Sequence, residues 1–284
     1  MSVFRLPGKQ MLKPAWEFTT KGLIWRLVPA GRTRLVGEER DPERRNVLFF
    51  CIDLNSGRTL WQDLSFDQKW WSGIEAIRDG IMLLHGFVTP DMPEHRGITA
   101  VDLERGTVAW ALPDLTCKGI KGGRVLAERR GAAGVAVTEV DLHTGEFIGT
   151  GRYGQASDSV GTPEPDDGVV VPQPGPYGPE AEEILRTSPQ FRSVAAPVEC
   201  LESLHLLVTV RSESLGTGGQ GVGRFRSSLA VLDKRNGKQL FAETLHEGTA
   251  AIAPEVVFVQ DGVLYFIKNR RTICAVRLPH QAEP

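Results

Sequence analysis

Apolar and polar positions along this chain alternate in short blocks, too short and too evenly spaced for helices. Four apolar, β-prone runs (47–52, 98–101, 135–138 and 229–232) each lead up to an aspartate. Each run predicts a strand. The aspartate is followed four residues on by glycine: Asp53 and Gly57, Asp102 and Gly106, Asp141 and Gly145, Asp233 and Gly237. Asp opening a tight turn accepts hydrogen bonds from the backbone N–H groups just ahead. Gly supplies the positive φ that a turn with a bulge requires. The strand then resumes through a large side chain at Trp61, Trp110 and Phe241, with Phe147-Ile148 in the remaining copy. The spacing predicts hairpins whose aromatic wedges between one sheet and the next, and these Asp and Gly residues serve turns and not chemistry.

A second repeat interleaves with the first. A turn at Gly22, Gly80, Gly123, Gly168, Ser203 or Gly262 precedes a further apolar run. A unit that recurs at a fixed period buries its apolar face only against its neighbours. The two repeats predict an all-β fold: one β-propeller over residues 1–284, with about six four-stranded antiparallel blades. The expected blades are 20–65, 68–113, 115–150, 155–195, 196–245 and 250–279 with 13–19. Two slots are degenerate, 185–192 and 273–277. The chain ends before the last blade has an outer strand, and Pro14-Ala15-Trp16-Glu17-Phe18 has the pattern to supply it. Pairing it there closes the ring and leaves no open strand edge. One short helix is expected over 179–185, with proline in its first turn and acids near its positive end.

Composition agrees, since 31 Gly and 18 Pro suit a chain built of many turns. A net charge of −2 argues against a nucleic-acid partner. No apolar run follows a basic start, so neither a signal peptide nor a membrane segment is expected. Cys51, Cys117, Cys200 and Cys274 are far apart with no Cys-x-x-Cys pair. They read as buried free thiols, and the chain as cytoplasmic.

The segments Ile52-Asp53-Leu54-Asn55-Ser56-Gly57-Arg58-Thr59-Leu60-Trp61 and Asp102-Leu103-Glu104-Arg105-Gly106-Thr107-Val108-Ala109-Trp110 resemble the repeat of quinoprotein-type propellers. That family includes pyrroloquinoline-quinone (PQQ) dehydrogenases and the propeller lipoprotein of outer-membrane assembly. The resemblance implies the fold, and the closest character is that of an uncharacterised bacterial propeller family with no assigned activity. The dehydrogenases pair a vicinal disulfide with a tryptophan floor, calcium and a catalytic Asp. This chain has no adjacent cysteines and no visible calcium cluster, so no cofactor is expected.

The turns of both repeats share one end of the blades. The other end carries longer loops at 31–46, 86–97, 173–183 and 212–226, and is the expected functional face. The first loop is rich in paired charges; Arg40 stands for an arginine clamp on phosphate or carboxylate. The second holds His85, Asp91, Glu94 and His95, types that suit a divalent ion. Their spacing matches no metal motif, so no metal is expected. The glycine-rich 216–223 is followed by a strand and not a helix, which argues against a phosphate cradle. Trp70 and Trp71 point to opposite sides of a strand, one packed between blades and the other a candidate interaction anchor. Neither a Gly-x-Ser-x-Gly elbow nor a His-Glu-x-x-His pair is present. The reading is a binding or scaffold protein in preference to an enzyme, with an unknown protein or small-molecule ligand at Trp70, Trp71, Arg40, His85, Asp91 and His95. The alternatives are a hydrolase or lyase with a polar axial site and, remotely, a PQQ-dependent oxidoreductase.

Overall fold

The computed structural model describes residues 12–66, 70–87, 94–131, 134–150, 168–191, 198–217, 223–249 and 256–279. Strand β1 (Pro14–Thr19) pairs antiparallel with the last strand of the chain. Strands β2 (Leu23–Ala30), β3 (Arg34–Asp41), β4 (Asn46–Asp53) and β5 (Thr59–Leu64) form the first four-stranded meander. A second is built of β6 (Gly73–Arg78), β7 (Ile81–Phe87), β8 (His95–Asp102) and β9 (Thr107–Leu112). A third is built of β10 (Thr116–Lys121), β11 (Arg124–Gly131), β12 (Gly134–Asp141) and β13 (Phe147–Thr150). The fourth sheet has five strands: β14 (Gln173–Pro174), β15 (Glu199–Glu202), β16 (Leu206–Thr217), β17 (Gly223–Asp233) and β18 (Gln239–Thr249). Helix α1 (Pro179–Thr187) lies between β14 and β15 in the chain. Strands β19 (Val257–Gln260), β20 (Val263–Lys268) and β21 (Thr272–Arg277) complete the fifth sheet, in the order β1-β21-β20-β19. The N-terminal strand therefore supplies the outer strand that the last repeat lacks.

The chain is all-β, but the described residues hold five sheets where the repeats predict six. Part of the expected fourth blade, 155–195, lies outside the described residues. Its described part contributes the short β14, α1 and a lone bridge from Val170 to Val259. Ala181 and Ile184 of α1 pack with Cys200, Leu207 and Leu232 of the fourth sheet. The apolar stripe of this short helix thus lies on the fourth sheet.

Strands β2–β13 make one compact unit, and β1 with β14–β21 another. In the first unit the middle sheet is buried on both faces. Met82, Leu84 and Val101 face Phe49 and Cys51 of the first sheet. Ile81, Leu83, Ile98 and Ala100 face Val125, Ala127 and Val140 of the third. Alternate residues of β7 and β8 thus go to opposite neighbours. In the second unit Val208, Val231 and Phe241 pack against Leu264, Phe266 and Cys274 of the fifth sheet.

The turn chemistry explains the repeat. Asp53, Asp102, Asp141 and Asp233 each accept backbone N–H bonds through Oδ1. The N–H of the glycine four residues on bonds back to each Asp carbonyl, at φ between 65 and 72°. The aromatic then reaches the next sheet. Trp61 donates from Nε1 to the Leu103 carbonyl (2.8 Å), and Trp110 to that of Leu142 (2.9 Å). Each indole packs against the turn glycine of that sheet. A Cβ on Gly106 would fall 2.6 Å from Trp61, and one on Gly145 would fall 2.7 Å from Trp110. Asp, Gly and Trp at this spacing are one lock, repeated between successive sheets of the first unit.

Two of the expected loops are strands. Residues 34–41 form β3 despite nine charges in 31–46, because Glu38 and Glu39 are buried and partnered. Glu38 is paired to Arg40, and Glu39 accepts from the Gly22 N–H. The expected loop at 212–226 is mostly the long hairpin of β16 and β17, in register from Leu206↔Asp233 outward. Its polar residues pair across strands, as Ser212 does with Ser227 (3.2 Å).

Candidate functional site

The three sheets of the first unit share a register that exposes a repeated position. Arg34, Ile81 and Arg124 are the residues that pair with the turn aspartates Asp53, Asp102 and Asp141. Four residues on stand Glu38, His85 and Glu128, and two further stand Arg40, Phe87 and Arg130. In the first and third sheets this is a buried Glu bonded to Nε of the Arg two residues on. The middle sheet carries His85 and Phe87 instead. All these positions lie toward the ends of β3, β7 and β11 opposite the turns, which is the long-loop end.

Strand β6 adds a carboxylate at the same level. Its register shifts between Ile74, opposite Leu84, and Ala76, opposite Leu83. Glu75 is the extra residue of that bulge. Strand β10 has the equivalent bulge, with Lys118 as its extra residue. A bulge re-aims a side chain that the pleat would otherwise fix. Glu75 is 7 % exposed and meets His85 and His95.

Nδ1 of His85 lies 2.7 Å from Glu75 Oε2, and Nδ1 of His95 lies 2.8 Å from the same oxygen. The two imidazoles are stacked, with centroids 3.5 Å apart and planes 6° from parallel. Phe87 meets both ring edges at right angles. His95 is hydrogen-bonded to the carboxylate. Nδ1 of His85 is buried and makes a close contact with the same carboxylate oxygen. Burial works against the charge on Glu75, yet the close approach of His85 and then His95 outweighs it and holds the carboxyl below its usual range. Burial, and after it the neighbouring His85, push the His95 imidazole below its usual value against the pull of Glu75. The nearby Cys117 thiol is pushed up to about 12 by burial and by the Glu75 charge.

Two clefts flank the histidine pair. One, of about 500 Å³, is lined by His85, Phe87, Phe66, Ser72, Arg96 and Asp114 among others. The other, of about 350 Å³, is lined by Glu94, His95, Arg96, Asp114, Thr116, Arg129 and Arg130. Arg96 and Asp114, paired at 3.1 Å, belong to both walls. Arg130 bridges Glu94 (2.9 Å) and the buried Glu128, which Lys118 also approaches at 3.5 Å. The second cleft sets three guanidinium groups against two carboxylates, and Arg129 has no ionic partner among the described residues.

Of the residues singled out from sequence, the structure brings His85 and His95 together, and Asp91 lies outside the described residues. Arg40 is part of the neighbouring sheet. It is held by Glu38 (2.6 Å) and the Ser72 carbonyl (3.2 Å), with its guanidinium 5.1 Å from the Trp25 ring and 5.3 Å from that of Trp70. Trp70 packs against the core between the first two sheets. Trp71 sits edge-on to Phe87 beneath the Arg45 guanidinium. Glu75 escaped the sequence reading, although a lone charge inside the apolar run Gly73-Ile74-Glu75-Ala76-Ile77 was its signal.

Among the described residues no helix is long and apolar enough to cross a membrane. Residues 30–110, which include Glu38, Glu75, His85 and His95, match a family described as a domain of unknown function, DUF4905. No curated protein matches this chain. Among solved structures, the chain is similar to an uncharacterised protein of Listeria monocytogenes EGD-e, at 10 % identity and a TM-score of 0.31, over 93 % of this chain and 84 % of that one. It is also similar to a DUF4221 family member from Bacteroides vulgatus, at 11 % identity and a TM-score of 0.25, over 96 % of this chain and 100 % of that one.

Proposed function

We propose that this chain is a β-propeller of the PQQ-like repeat type that binds a small carboxylate- or phosphate-bearing molecule at the long-loop end of its second sheet. Four-stranded meanders joined by Asp-Gly-Trp locks support the propeller reading. Four free, buried thiols suit a reducing compartment, and a cytoplasmic location is part of the proposal. The observation that carries the binding reading is the convergence of Glu75, His85 and His95 between two clefts walled by Arg96, Arg129 and Arg130. Ligand sites are concave and carry a few converging polar groups, often with perturbed pKa values. Guanidinium groups match carboxylate and phosphate oxygens in pairs.

Calorimetric titration with citrate, inorganic phosphate and sugar phosphates, in the presence of a chelator, tests it. Binding of at least one of these, weakened by Arg129→Ala, is the expected result. Failure of the whole panel, or binding indifferent to Arg129→Ala, contradicts it. The hydrolase or lyase reading draws on the same carboxylate and imidazoles, which form a general acid–base set; turnover of the bound compound would favour it. Docking of a protein is the second reading, and the exposed Trp25 (59 %) beside Arg40 is the feature that favours it.

A further inference from the structure

We infer that Glu75, His85 and His95 form a site for one divalent transition-metal ion of the zinc, cobalt or nickel kind, facing the two clefts. The inference rests on the same cleft being the working site. Three observations carry it. The donor atoms of the three residues lie within 4.8 Å of one another. They are two imidazole nitrogens and one carboxylate oxygen, a set that suits borderline transition metals and not calcium or magnesium. His85, whose side chain is 10 % exposed, holds its Nδ1 2.7 Å from the Glu75 oxygen, in a buried contact between two metal-ligating groups. Buried polar atoms need partners, and a cation shared by that nitrogen and the carboxylate oxygen would serve both.

The geometry also limits the ion. With metal–ligand bonds of about 2.1 Å, donor separations near 2.8 Å subtend roughly 85° at the metal. The two N···O edges present, 2.7 and 2.8 Å, therefore match adjacent corners of an octahedral-type site. A tetrahedral site needs these edges to widen by about 0.7 Å. Both lone pairs reach one ion once the rings tilt out of their parallel stack. Three protein donors leave the remaining positions open toward the clefts, as in metal sites that bind an exchangeable ligand. An anion held by Arg96, Arg129 or Arg130 would be placed to take them.

The test uses the full chain, stripped with chelator and dialysed. Zinc titrated by calorimetry should bind at one ion per chain, and cobalt(II) should give a visible ligand-field spectrum that zinc abolishes. Affinity should fall at least 10- to 100-fold in His95→Asn and in Glu75→Gln, a loss no smaller than that from removing outer-shell partners of known sites. His95 is partly exposed, so His95→Asn should keep the circular dichroism of the parent and separate lost binding from lost folding. No saturable zinc binding, or binding unchanged in both folded variants, overturns the inference. If zinc fails while an anion of the panel still binds in chelator, the metal falls and the cleft stands; failure of both removes the site itself.

Discussion

Gly106→Ala should destabilise the first unit far more than Gly31→Ala, although the two glycines have nearly the same backbone. Their φ angles are 65° and 66°. Placing an L-residue in this left-handed region costs about 1–2 kcal/mol at either position. A Cβ on Gly31 meets nothing within 4 Å, whereas one on Gly106 falls 2.6 Å from Cγ and 2.9 Å from Cδ1 and Cδ2 of Trp61. Trp61 cannot simply withdraw, because its Nε1 is bonded to the Leu103 carbonyl and its ring packs against the core between two sheets. Overpacking of this kind adds about 1–3 kcal/mol, so Gly106→Ala should cost roughly 2–5 kcal/mol in total against 1–2 for Gly31→Ala. Urea denaturation of the two variants measures the difference. In a Trp61→Ala background the extra cost of Gly106→Ala should vanish, a coupling of about 1–3 kcal/mol in a double-mutant cycle. Equal effects of the two alanines, or additive effects in the cycle, would refute the lock as the reason for the Asp-Gly-Trp spacing.

Acid should unfold the first unit earlier than its net charge requires. His95 is held below its usual value of 6.5 and Glu75 below 4.5, so the unfolded chain takes up each proton first. Stability is then full above about pH 6.5, declines as pH falls toward the folded His95 value, and declines again below about 4.5; His95→Asn should flatten the upper part of a urea-midpoint profile, and an unchanged profile would contradict the assignment. Cys51, Cys117, Cys200 and Cys274 are all pushed up to about 12, chiefly by burial, so a thiol reagent should label none of them in the native protein and all four in urea. Labelling of any one in the native state would contradict its burial. Arg40→Met should cost about 3–5 kcal/mol by leaving the buried Glu38 unpaired, with much of that recovered in Glu38→Gln/Arg40→Met; equal denaturation midpoints for the single and double variants would count against the pair.

The fold was legible where local chemistry repeats. Asp53, Gly57 and Trp61 are three consequences of one turn and one inter-sheet contact, so their spacing survives in sequence. The N-terminal strand was legible for a related reason: an open last repeat needs an outer strand, and Pro14 to Phe18 has the pattern. The helix at 179–185 was legible from its proline and acids and is present as α1, but its packing of Ala181 and Ile184 on the fourth sheet was not, because two apolar residues are too few to show which sheet they cover. Charge misled at 31–46. Glu38 and Arg40 neutralise each other inside β3, and a buried ion pair has the composition of a solvated loop. The candidate site was half legible. His85 and His95 stood out as residue types, but Glu75 meets them only through a bulge in β6 and the pairing of three strands, which sequence spacing does not encode.

The most direct test of the site is hydrogen exchange of the full chain, with and without the strongest binder among citrate, phosphate and sugar phosphates. Slowed exchange should centre on 73–77, 84–87 and 94–97, with the turns at 53–57, 102–106 and 141–145 unaffected. Protection confined to those turns or to residues of the second unit, or no change under saturating ligand, would contradict the placement of function at Glu75, His85 and His95.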